Sequence, residues 1–132
     1  MSKKRQWEVV YIGKGVSLND FYSQGHYYKR NELKKKYTAI FHELISEAGV
    51  EPIDKYILTC YFNSRHDTSN VSGMIKMFED TLAGVHNRRK GYEVYEYPRL
   101  IPDDDKSHCL GIEIYPDLEL PKNCFKFIIK EQ

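Results

Sequence analysis

The sequence predicts a single α+β domain, residues 1–132, in which two main helices pack against a mixed sheet of about four to five strands. Three observations carry this expectation. Runs rich in β-branched and aromatic residues alternate with stretches of helical period. One run, 55–62, is nearly continuous in apolar residues, as expected of a strand covered on both faces. No repeat, low-complexity tract or linker-like stretch interrupts the 132 residues, a length that suits one core. Apolar residues at 41% and charged residues at 30% are ordinary for a globular domain, and a formal charge of +1 means that any basic surface must be local.

The elements follow in order. Residues 7–12 (Trp-Glu-Val-Val-Tyr-Ile) form the first strand, broken by Gly13-Lys14-Gly15. That tripeptide reads as a plain turn, because it lacks both a following G-K-[ST] and a third glycine. Residues 16–30 are expected as a loop and 31–48 as the first helix, with Leu33, Tyr37, Ile40, Leu44 and Ala48 as its buried stripe. Gly49 is placed to end that helix in the left-handed conformation. Residues 55–62 are the central strand, followed by the polar run Asn63-Ser64-Arg65-His66-Asp67. Val71, Ile75, Phe78 and Leu82 mark a second helix, with Ser69 or Asn70 as its N-cap. His86-Asn87-Arg88-Arg89-Lys90-Gly91 reads as a basic turn before a short strand or hairpin arm at 92–97. Strands at 106–115 and 124–129 complete the sheet, with a turn between them.

Composition excludes several classes. No segment approaches the ~18 apolar residues of a spanning helix. The basic start lacks an apolar run after it, so a signal peptide is not expected. Cys60, Cys109 and Cys124 are odd in number and widely spaced, which fits reduced thiols of a cytoplasmic protein. The five histidines show no zinc-ligand spacing, and no nucleophile motif accompanies a serine or cysteine.

Two features point to chemistry. Lys29, Arg30, Lys34, Lys35 and Lys36 crowd the start of the first helix, where cations oppose the macrodipole; they suit contacts with nucleic-acid phosphates, and a solvated lysine-rich face is the alternative. Arg88, Arg89 and Lys90 are candidates for the same role. Asp67, Asp80 and one of Asp103, Asp104 and Asp105 are the acidic positions that could converge, with Asp104 preferred and Asp103 next. Clustered carboxylates repel unless a divalent cation holds them, and hard oxygen ligands favour Mg²⁺ or Mn²⁺. Lys76, four residues before Asp80, lies on the same helix face and could stabilise charge developing on a phosphate.

The set Asp67-Thr68-Ser69-Asn70, then Lys76 and Asp80, then Asp103-Asp104 resembles the RusA-like Holliday junction resolvases, especially phage-encoded members. That family carries Asp-x-Asp-Asn before a helix, a lysine and an aspartate four apart on the helix, and an Asp-Asp pair opening a strand. The segment Ser17-Leu18-Asn19-Asp20-Phe21-Tyr22, followed by His26 and Arg30, also resembles the family's early loop. The resemblance implies a homodimer that resolves four-way or other branched DNA in recombination and repair. Its catalytic residues would be Asp67, Lys76, Asp80 and Asp104, with Mg²⁺ or Mn²⁺ on Asp67, Asp80, Asp103 and Asp104. It implies a cytoplasmic location, the host cytoplasm for a phage protein. The chain departs from the pattern at Ser69, where the family has its second aspartate, and in a longer 85–100 segment. A DNA-structure-binding protein of the same fold that does not cut, and a protein–protein module using the eleven tyrosines, are the alternative readings.

Overall fold

The computed structural model describes residues 4–15, 27–84, 86–89, 92–95, 97–102 and 105–132, with the backbone alone at 27–31, 86–89 and 92–95. Alternation sets the first strand: in β1 (Gln6–Ile12) Val9 and Tyr11 are buried while Glu8, Val10 and Ile12 face outward. Helix α1 (Tyr27–Ala48) leads to β2 (Tyr56–Asn63), and a short 3₁₀ turn (Thr68–Val71) leads to α2 (Ser72–Ala83). A hairpin of β3 (His86–Arg89) and β4 (Tyr92–Tyr95) precedes β5 (Cys109–Pro116) and β6 (Cys124–Glu131). The main sheet runs β1-β6-β2-β5, and β6 is antiparallel to both of its neighbours. β2 and β5 are parallel, as the crossover through α2 requires. This is the mixed sheet with two packed helices that the sequence predicts, with β2 inside it.

Both helices cover one face. Phe41 of α1 meets Phe78 of α2 and Phe127 of β6 edge-on, each at 5.6 Å, and Phe78 stacks on Phe127 at 4.2 Å. All three rings are fully buried. Edge and offset contacts of this kind add to the large area that aromatic burial removes from water. One polar pair sits within this core: the Tyr56 hydroxyl donates to Glu79 at 2.5 Å, which satisfies a carboxylate only 4% exposed. Burial and the Glu79 carboxylate together drive the Tyr56 hydroxyl pKa far upward. Burial also pushes the Cys60 thiol up to about 12 and Cys109 to about 11, so neither thiol is a ready nucleophile.

Local expectations fare unevenly. Gly49 has φ +72, and its neighbour Val50 donates to Ile45 while Gly49 donates to Ser46, which completes a Schellman cap. Helix α1 begins at Tyr27 instead of 31, because nothing between Tyr27 and Arg30 breaks a helix and elongation adds one bond per residue fixed. Its buried row is Tyr37, Phe41 and Ile45; Leu33, Ile40, Leu44 and Ala48 are only partly covered at its flank. In α2 the stripe Val71, Ile75, Phe78 and Leu82 is buried as expected, and Met74 and Met77 join it at 0% exposure. Neither Ser69 nor Asn70 caps α2. Both lie inside the 3₁₀ turn, where the Ser72 hydroxyl donates to the Ser69 carbonyl. His86–Arg89 is a hairpin arm and not a turn, with His86 opposite Tyr95 and Arg89 opposite Tyr92. No helix among the described residues is long and apolar enough to cross a membrane.

Candidate functional site

The two ends of the sheet must be kept apart, because the candidate residues divide between them. The chain leaves β2 at Asn63 and reaches Asp67, which precedes the 3₁₀ turn and is exposed. The Asp67 carbonyl accepts from Asn70 N–H, and its carboxylate makes no capping bond. The chain enters β5 at the opposite end: Tyr56 at the start of β2 pairs with Cys109 at the start of β5, and Tyr56 N–H donates to the His108 carbonyl. Asp105 stands just before that strand and shapes its entry. Its side chain accepts from Ser107 N–H, and its carbonyl accepts from His108 and Cys109. Eight residues of strand, about 26 Å, separate the two ends. Asp67 and Asp105, the least favoured of the three downstream aspartates, therefore do not meet. A parallel crossover returns the chain to the end from which β2 set out. The preferred ligands Asp103 and Asp104 lie outside the described residues, as does Lys90; Lys29, Arg30, Arg88 and Arg89 are placed by backbone only.

Asp80 belongs to the end where β5 begins. It lies one turn from the C-terminus of α2, some 12 Å of helical rise beyond Ser72. There the backbone of Leu100 and Ile101 donates to the Leu82 carbonyl, tying residues 99–102 to the end of α2. The two oxygens of Asp80 each face an ammonium group: Lys76 at 3.5 Å on its own helix and Lys34 at 3.5 Å from α1. The pair at spacing four is the one expected from sequence; Lys34 is the partner that sequence reasoning assigned only to phosphate. All three side chains keep contact with solvent, Asp80 at 21%. Lys35 and Lys36 are exposed beside them, with the Lys36 ammonium 5.8 Å from the Tyr37 ring. Since α1 starts at Tyr27, Lys34 to Lys36 sit two turns into the helix, where the macrodipole has little hold on them.

The described residues do not assemble an ion site. Asp80 is a single carboxylate already neutralised by two lysines, and no three His, Cys, Asp or Glu side chains among the described residues gather around one point. Pro102 and Asp105 are near this end of α2 and β5.

A third cluster, which includes the tripeptide expected to be a plain turn, lies at the other end. Gly13, Lys14 and Gly15 after β1, Arg65 and His66 after β2, and Asn123 before β6 line one pocket of about 420 Å³. Comparison of the chain with family models, with characterised proteins and with solved structures finds no match.

Proposed function

We propose that this chain is a metal-dependent endonuclease that binds four-way or other branched DNA as a homodimer and hydrolyses its phosphodiester backbone with Mg²⁺ or Mn²⁺. The supporting observation is the Lys34–Asp80–Lys76 group: a solvent-accessible carboxylate set among cations from both helices, continued by exposed Lys35 and Lys36. Cations so placed suit phosphate oxygens, and a divalent ion on such a carboxylate would supply charge neutralisation at the phosphate. A second reading, recognition of DNA structure without hydrolysis, is favoured by the neutralisation of both Asp80 oxygens. The test is a labelled four-way junction incubated with the protein in Mg²⁺, in Mn²⁺ and in EDTA. Paired nicks that require the metal are expected. Tight binding without nicks would leave the second reading, and absence of both would overturn each. Replacing Lys34, Lys35 and Lys36 by glutamine should flatten the dependence of log K on log salt by up to about three units.

The homodimer has its own support in the edge strand. β5 pairs only with β2 among the described strands, and Leu110, Ile112 and Tyr115 on it are 51%, 46% and 46% exposed. A long apolar edge is a template for pairing. Antiparallel self-pairing centred on Ile112 sets Leu110 of one copy against Ile114 of the other, and Glu113 against Gly111, so like charges do not meet. Ile112→Lys is expected to convert a sedimenting dimer to monomer. A wild-type protein that sediments as a monomer at micromolar concentration would remove the dimer from the proposal.

A further inference from the structure

We infer that the pocket between the ends of β1 and β2 is a binding site for a phosphate monoester, separate from Asp80 and its lysines. Its walls are the three loop segments at the end of the sheet where β1 and β2 finish, the end at which open α/β sheets commonly take ligands. Each wall is fixed. The Lys14 carbonyl accepts from the hydroxyls of Tyr11 at 2.8 Å and Tyr37 at 2.6 Å, which ties the loop to both β1 and α1. Gly13 N–H donates to the Asn123 carbonyl at 2.9 Å, joining that loop to the turn before β6. Asn123 holds φ +57, a left-handed conformation that asparagine tolerates.

The glycines let the walls pack closely. A Cβ on Gly15 would stand 2.6 Å from Phe125 Cζ and 3.1 Å from His66 Cε1. Glycine there lets the backbone close on the imidazole and the phenyl ring. A Cβ on Gly13 would stand 2.7 Å from the Tyr11 hydroxyl that anchors the loop. Gly13-Lys14-Gly15 is therefore more than a strand-ending turn.

The lining is cationic and rich in donors. Lys14 and Arg65 are exposed, and among the described residues neither has a carboxylate partner. His66 adds an oriented imidazole. Ser64 Oγ accepts from His66 N–H at 3.2 Å and lies 3.1 Å from its Nδ1, which fixes the ring against the loop. No Asp or Glu is among the six lining residues; the adjacent acidic residue in the chain is Asp67, which is exposed. Two exposed cations, an imidazole and the Asn123 amide suit a phosphoryl dianion. The volume exceeds what a bare phosphate needs and lies within the range of small-molecule sites. A free nucleotide and the 5′ end of a nucleic-acid strand share that chemistry.

The test uses the full chain in EDTA, so that no hydrolysis intervenes. Binding is measured by calorimetry for inorganic phosphate, a nucleoside 5′-monophosphate, and one short oligonucleotide with either a 5′-phosphate or a 5′-hydroxyl. The phosphorylated forms are expected to bind at least about tenfold more tightly than their unphosphorylated twins. Lys14→Ala/Arg65→Ala, two exposed positions, is expected to erase that difference. Preference for the mononucleotide would identify a free nucleotide as the ligand, and preference confined to the oligonucleotide would identify a strand end. Equal binding of the phosphate and hydroxyl forms, or a phosphate preference that survives Lys14→Ala/Arg65→Ala, would overturn the site. Asp80→Asn serves as a control and should leave the preference intact, which separates this site from the nuclease reading.

Discussion

Asp80→Asn is expected to lower junction nicking by on the order of a thousandfold while junction binding holds or tightens. The two effects have opposite signs because Asp80 is the carboxylate of a lysine pair. Removing its charge takes away the carboxylate set between the two lysines, and loss of several kcal/mol of transition-state stabilisation corresponds to two or three powers of ten in rate. The same change removes the anionic charge that faces the Lys34 ammonium at 3.5 Å, which leaves Lys34 to phosphate. Asp67→Asn is the informative companion. The resemblance counts Asp67 among the ligands, but the strand order puts it at the far end of the sheet from residues 99–102 and Asp105. Nicking by Asp67→Asn is therefore expected to stay within about threefold of wild type, as for a surface change remote from the chemistry. Full activity in Asp80→Asn would sink the assignment. Loss of activity in Asp67→Asn alone would move the reaction to the other end of the sheet.

These outcomes turn on what a linear reading of the chain could and could not see. Hydrophobic continuity identified β2 as an interior strand, and period identified α2, because burial leaves its mark on every residue of an element. The same logic misplaces the stripe of α1. The expected row of Leu33, Tyr37, Ile40, Leu44 and Ala48 shares only Tyr37 with the buried one, whose Phe41 meets Tyr11, Phe78 and Phe127. That choice depends on partners thirty or more residues away. The aspartates show a different limit. Spacing along the chain says that Asp67 and Asp105 each flank a strand, yet only the direction of β5 says at which end of the sheet each falls. Gly13-Lys14-Gly15 shows a third. No phosphate-loop motif accompanies it, and its partners Arg65, His66 and Asn123 come from two other connections.

Phe127→Ala should cost about 3–5 kcal/mol, the largest stability loss expected of a single substitution here. Phe127 is fully buried at the centre of β6, the strand hydrogen-bonded on both sides. Its ring stacks face to face on Phe78 with the planes only 4° apart and meets Phe41 at 80°, so one truncation unseats both helices from the sheet. The lost transfer energy and the residual cavity add, because the backbone of a doubly paired strand cannot shift to fill the space. Against a typical stability of roughly 5–15 kcal/mol, the variant would be marginal, with a midpoint lower by about 10–20 °C. Phe127→Leu keeps much of the volume and should lose less, about 1–2 kcal/mol. Urea unfolding followed by far-UV circular dichroism measures both changes. A loss below about 1 kcal/mol in Phe127→Ala would mean that α1 and α2 are not held by this three-ring contact. The placement of Lys34 beside Asp80, which depends on how the two helices share the Phe127 face, would then lose its structural basis.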